Sequence, residues 1–201
     1  MRKHFDALPE PCVLKPSPDH AINLVIDATF FGQDYGYLCF SDTKRIIYFQ
    51  EIKSESVHAL RECLAVLRAA GYRFKSFTLD GRRGFIQALQ ALYPHTPIQM
   101  CHFHQQAIIR RYITTNPKTL CGQDLKALMK AFGRMDPQRW IDDLFDVQAG
   151  HQGFLDEKNE NGQYVHGRLR SAFRSLKSNL PYLFVCYEFA ESKIPNTSNH
   201  L

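Results

Sequence analysis

Two aspartates carry the first sign of chemistry. Asp27 closes the apolar run Ile22-Asn23-Leu24-Val25-Ile26, and Asp80 closes Phe74-Lys75-Ser76-Phe77-Thr78-Leu79. Both runs read as buried strands. A carboxylate at such a place is costly unless it is paired, hydrogen-bonded or bound to a cation. If the two strands are neighbours, their C-terminal ends bring both acids to the edge where open α/β sheets hold their ligands. The side chains then lie within about 4–7 Å, and two such acids can hold Mg²⁺ through oxygen. Read singly, each acid can equally cap a turn, Asp27 before Ala28-Thr29 and Asp80 before Gly81.

The run Cys101-His102-Phe103-His104 invites a metal reading. Zinc takes about four ligands, however, and no further Cys/His pair stands at suitable spacing. Cys101 and His104 are expected at the end of a strand and the start of a helix, with no zinc. Basic residues cluster as Arg82-Arg83, as Arg110-Arg111, and as Arg168, Arg170, Arg174 and Lys177. Each cluster can contact phosphate, and each can equally be a solvated helix face.

The elements that must position these residues can be read from periodicity. Three short β-rich runs, residues 22–27, 35–40 and 46–50, are separated by turn chemistry and form an antiparallel meander. Val57, Leu60, Leu64 and Leu67 then make a helical stripe, with Ser54 as its cap and Gly71 as its stop. A strand runs over residues 74–80. A helix carrying Phe85, Leu89 and Leu92 follows, and Pro94 stops it. A fifth strand covers 97–101, and a helix runs from about His104 to Thr114. The order β-β-β-α-β-α-β-α predicts a mixed sheet with helices on both faces.

From Pro117 onward the pattern is helical. One stripe is Leu125, Leu128, Met129 and Phe132. A second helix, capped by Asp136-Pro137, carries Trp140, Ile141, Leu144 and Phe145. A polar break spans 150–167, and a helix over 168–179 precedes a short apolar one over 180–191. Residues 1–20 hold Pro9, Pro11, Pro16 and Pro18 and read as a linker or remnant.

The 201 residues suit one domain with an insertion, large enough to fold without disulfides. Hydrophobic residues are 44% and charged residues 22%, which excludes a mostly disordered chain. No apolar run approaches the ~18 residues of a membrane span. The N-terminus shows no signal-peptide core, so the expectation is a cytoplasmic protein with reduced thiols and no membrane partner. A net charge of +5 permits a polyanionic partner without demanding one.

Four blocks of residues together resemble a known family. Ile26-Asp27-Ala28-Thr29-Phe30 is similar to the first catalytic block of DDE transposases with a ribonuclease-H-like fold. Leu79-Asp80-Gly81, followed by Gly84-Phe85 and a helix, resembles the second. Cys101-His102-Phe103-His104-Gln105 resembles the CxxH signature of the mutator-like class of bacterial insertion sequences. Ile194-Pro195-Asn196-Thr197-Ser198-Asn199-His200-Leu201 is similar to the segment leading into the third catalytic block.

The resemblance implies a ribonuclease-H-like α/β core over 21–116, an α-helical insertion over 117–193, and over 194–201 the approach to a third carboxylate. That carboxylate, a Glu, would follow Leu201, and a DNA-reading domain would precede the first block. Asp27 and Asp80 are then the catalytic and metal ligands for Mg²⁺ or Mn²⁺, and Cys101 and His104 are structural. DNA, as transposon ends and target, is the partner, and the full-length form is a candidate homo-oligomer. The activity implied is metal-dependent phosphodiester cleavage and strand transfer. With two carboxylates, this chain is expected to bind metal weakly and to cut no DNA. The alternative is a non-catalytic remnant that docks DNA or a protein. An active nuclease of ribonuclease H type would need further acids around the sheet edge.

Overall fold

The computed structural model describes residues 13–14 and 21–198. Five strands form one sheet: β1 (Ala21–Phe30), β2 (Gly36–Ser41), β3 (Ile46–Ile52), β4 (Arg73–Leu79) and β5 (Ile98–Met100), in the order β3-β2-β1-β4-β5. The first three are an antiparallel meander. β4 and β5 then add in parallel on the other side of β1. Parallel neighbours need crossovers, and helices supply them. α1 (Val57–Ala69) links β3 to β4, and α2 (Arg83–Leu92) links β4 to β5. The chain is α/β, a mixed five-stranded sheet with flanking helices, compatible with a ribonuclease-H-like core.

The rest is helical: α3 (His102–Ile113), α4 (Leu120–Ala131), α5 (Pro137–Gly150), α6 (Gln152–Leu155), α7 (Gly167–Leu183) and α8 (Val185–Glu188), then a 3₁₀ turn at Ala190–Ser192. The apolar stretch over 180–191, expected as one helix, is divided among the end of α7, α8 and that turn.

Strand alternation builds the first core. Leu24 and Ile26 of β1 and Phe77 and Leu79 of β4 point to one face, where they meet Leu60, Leu64 and Leu67 of α1 and Phe85 and Leu89 of α2. The second core lies among the helices. Trp140 and Leu144 of α5 are fully buried with Leu125 of α4 and Phe173 and Leu176 of α7, beside Ile109 of α3 and Met100 of β5. The helices after residue 117 are thus packed onto the β5–α3 edge rather than standing apart from the sheet.

β1 is longer than its apolar run. Residues Ala28, Thr29 and Phe30 go on pairing with β2, opposite Leu38, Tyr37 and Gly36. Asp27 therefore lies within β1, not at its end. It sits instead where β4 leaves the sheet, since β4 ends at Leu79.

Two described residues of the first twenty are docked. Leu14 N–H donates to the Ile47 carbonyl at 3.1 Å, and Tyr72 Oη donates to the Leu14 carbonyl at 2.7 Å. The rest of the linker read over 1–20 lies outside the described residues, as do residues 199–201. Among the described residues no helix is long and apolar enough to cross a membrane.

Candidate functional site

The pairing of β1 with β4 places the two aspartates. Val25 lies opposite Thr78, and continuing that parallel register two residues sets Asp27 opposite Asp80. Both line one small cavity with Leu38, Glu55, Leu79 and Phe85. Glu55 is a third carboxylate at this cavity. It is already engaged: its Oε2 is 2.5 Å from Arg82 Nη1, and Arg82 Nη2 also donates to its carbonyl at 2.7 Å.

Local backbone donors fix both aspartates. Ala28 N–H donates to Asp27 Oδ1 at 3.1 Å, and Arg82 N–H donates to Asp80 Oδ1 at 3.2 Å. Asp80 thus caps the turn before Arg82 and also lines the cavity, whereas no turn follows Asp27, because Ala28 to Phe30 continue β1. Gly81, between Asp80 and Arg82, lies close to β5. A Cβ there would run into the side-chain tip of Met100 on β5.

His104 stands next to the pair, its Nε2 at 3.8 Å from Asp27 Oδ1. Burial raises the Asp27 pKa above the ordinary carboxylate range. The charge of His104 and the Ala28 N–H pull it back, and Asp80 pushes it up again. The His104 pKa is raised, first through its contact with the Cys101 thiol and then, against burial, through Cys101, Asp27 and Asp80 as charges. Its Nδ1 is buried without a well-formed hydrogen bond.

Cys101 is fully buried at the N-cap of α3, directly after β5, and His104 is in the first turn of that helix. Ser198 N–H donates to Cys101 Sγ at 3.2 Å, and the hydroxyls of Ser198 and Thr197 lie at 3.4 and 3.7 Å. Burial pushes the thiol up, but the contact with His104 and the hydrogen bonds with Ser198 outweigh it and hold the pKa at about 7. The CxxH pair thus joins three things: the end of β5, the segment at residues 197–198, and Asp27.

That segment is held along the face of the sheet opposite the first core. Asn23 Nδ2 donates to the carbonyls of Ser192 and Lys193, Thr78 Oγ1 donates to the Pro195 carbonyl at 2.7 Å, and His102 N–H donates to the Asn196 carbonyl at 2.7 Å. Ser76 Oγ, also buried, donates to Asn23 Oδ1. Sequence reasoning missed Asn23, Ser76, Thr78 and Ser198. The available signal was a row of small polar residues at every second strand position, opposite an apolar face.

The basic clusters are separated by the fold. Arg82 is bound to Glu55. Arg170 pairs with Asp156 at 2.6 Å and stacks on Tyr164, 3.6 Å from the ring centre. Arg110 lines a cavity of about 360 Å³ with Lys126, Lys130 and Arg134. Arg174 and Lys177 line another of about 170 Å³. Arg83, Arg111 and Arg168 line a larger cavity, about 630 Å³.

A hard divalent cation fits this edge by the chemistry of its donors. Two carboxylates meet there, and Asp27 is made unfavourable by burial, which a cation would relieve. Among the described residues no group of three or more His, Cys, Asp or Glu side chains is arranged to hold a metal. The fit is therefore to a partial site of two carboxylates, the kind Mg²⁺ completes with water and substrate phosphate. No family model matches the chain, and no curated protein matches it.

Proposed function

We propose that this chain is the core of a DNA transposase of the DDE type, with Asp27 and Asp80 as the ligands of a catalytic divalent ion. One observation carries the reading. Two carboxylates line one cavity in a sheet ordered β3-β2-β1-β4-β5: Asp27 within β1, and Asp80 directly after the end of the parallel neighbour β4. When bound, Mg²⁺ supplies Lewis-acid polarisation of a phosphodiester and a more acidic water.

The chain's own groups set the stage for that chemistry. The Ala28 and Arg82 N–H groups orient the two carboxylates before any ion arrives. His104 places partial positive charge beside Asp27 and offsets the repulsion between the two acids. Arg82 neutralises Glu55, which lines the same cavity. The 201-residue chain therefore binds one ion weakly and leaves DNA uncut.

The test is a titration with Mn²⁺ followed by electron paramagnetic resonance. Weak binding to the wild type, lost in both Asp27→Asn and Asp80→Asn, is the expected result. Equal binding to the wild type and both variants would remove the metal site from this edge. Supercoiled plasmid, incubated with Mg²⁺ or Mn²⁺, is expected to stay closed. A second reading, a non-catalytic module that docks DNA, is favoured by the convergence of Arg83, Arg111 and Arg168 on one cavity. DNA binding with no Mn²⁺ binding by the wild type would select it.

A further inference from the structure

We propose that the groove between α3 and α7 is a binding site for the phosphodiester strand of a nucleic acid, gripped by Arg83, Arg111 and Arg168. The proposal rests on the polynucleotide reading above, but not on the metal chemistry.

The groove is built by two helix faces. Ile108, Arg111 and Tyr112 share one face of α3 at i, i+3 and i+4, and Arg168, Ser175 and Ser178 share one face of α7. Gly81 and Arg83 join them from the β4–α2 turn, so the groove begins one residue beyond Asp80. From Arg168 to Ser178 the α7 wall runs about 15 Å, several times the ~3.4 Å axial step between phosphates of one strand.

Its chemistry is one-signed. No carboxylate lines it, and among the described residues none of the three arginines pairs with an acid. In contrast, Arg82 and Arg170 are each neutralised by one. Two of the three are also held in place. Arg83 Nη2 donates to the Ser178 carbonyl at 3.1 Å, and Arg168 Nη2 donates to the Arg111 carbonyl. A guanidinium has five N–H donors, so one anchoring bond leaves four for a ligand and removes part of the ordering cost. The Ser175 hydroxyl, which accepts from Gln105 and keeps its own proton, adds a neutral donor, and the half-buried Tyr112 ring adds an aromatic surface. Arginines with one aromatic along a groove are the features that bind a strand without reading its sequence.

The experiment measures fluorescence anisotropy of a labelled single-stranded oligodeoxynucleotide and its duplex against the full chain, with EDTA present. Arg111→Ala and Arg168→Ala are each expected to weaken binding about tenfold and to lower the salt slope by about 1. Arg61→Ala and Arg139→Ala, exposed arginines on α1 and α5, are expected to change binding less than twofold. Arg168→Ala loses an anchoring bond, so thermal melts accompany it. Arg111→Glu reverses the charge at a side chain that makes no hydrogen bond among the described residues and is expected to abolish binding. Equal losses in groove and control variants, or wild-type binding by Arg111→Glu, would overturn the proposal. Binding of inorganic polyphosphate without binding of either oligonucleotide would also overturn it. With EDTA present, the oligonucleotide titration reads the groove without any metal ion at Asp27 or Asp80. A failed metal site therefore leaves this prediction standing, and a failed groove leaves the metal titration standing.

Discussion

At the scale of single residues, burial decides which polar groups are costly to disturb. His102 is a clear case. It is 6% exposed, its Nε2 lies 2.5 Å from the Leu183 carbonyl, and its ring packs at a tilt against Phe132. Burial lowers its pKa below the ordinary 6.5. A group whose folded pKa is depressed binds fewer protons when folded, so its stability contribution is whole above about pH 6.5. It is lost as pH falls through the depressed value. His104 acts in the opposite sense, because its folded pKa is raised. The two are separated by substitution: urea melts should lose midpoint between pH 7.5 and pH 5.5 more in the wild type than in His102→Gln. A Gln can still donate to the Leu183 carbonyl but gains no charge. Equal losses in both proteins would assign the acid sensitivity to other groups.

At the scale of elements, local chemistry and tertiary contacts compete for helix ends. The stripe of α1 was legible, and its cap was displaced by two residues. Ser56, not Ser54, is the N-cap, with its Oγ accepting the Ala59 N–H at 3.0 Å. The reason lies in another element. Arg82, before α2, binds both the carboxylate and the carbonyl of Glu55 and so keeps that residue out of the first turn. Ser56→Ala should cost about 1 kcal/mol in a urea melt, whereas Ser54→Ala should stay within about 0.5 kcal/mol. At α5 no such contact intervenes, and Asp136 caps as its position suggests, its Oδ1 accepting the Arg139 N–H at 2.9 Å.

At the scale of the whole molecule, residues 192–198 tie distant parts together. They satisfy Thr78 on β4, Cys101 after β5 and the N–H of His102 at the start of α3, all of them buried. Ending the chain after Lys193 would orphan those groups. At about 1 kcal/mol or more each the loss is about 3 kcal/mol, a drop in Tm of about 6–12 °C for a chain of this size. A melting curve unchanged by the truncation would show that water replaces the lost partners at no net loss.

The sequence by itself determined the sheet and most of its helices, because strand alternation and helical stripes are local records of which side faces a core. Leu24, Ile26, Phe77 and Leu79, and Leu60, Leu64 and Leu67, carried that record in their spacing. It also marked Asp27 and Asp80, since acids that close apolar runs stand out in any α/β chain, although β1 itself goes on past Asp27. Only the tertiary structure decided what surrounds them. Glu55, His104, Cys101 and Ser198 reach that edge through β3–α1, α3 and the end of the chain, and no spacing rule relates residues so far apart. The arginines show the same limit. All eight basic residues of the clusters looked alike as charges, and the fold neutralised Arg82 and Arg170 while drawing Arg83, Arg111 and Arg168 into one groove. Charge is written in the sequence, but its partner is set by which helices pack together, and that is a property of the closed core.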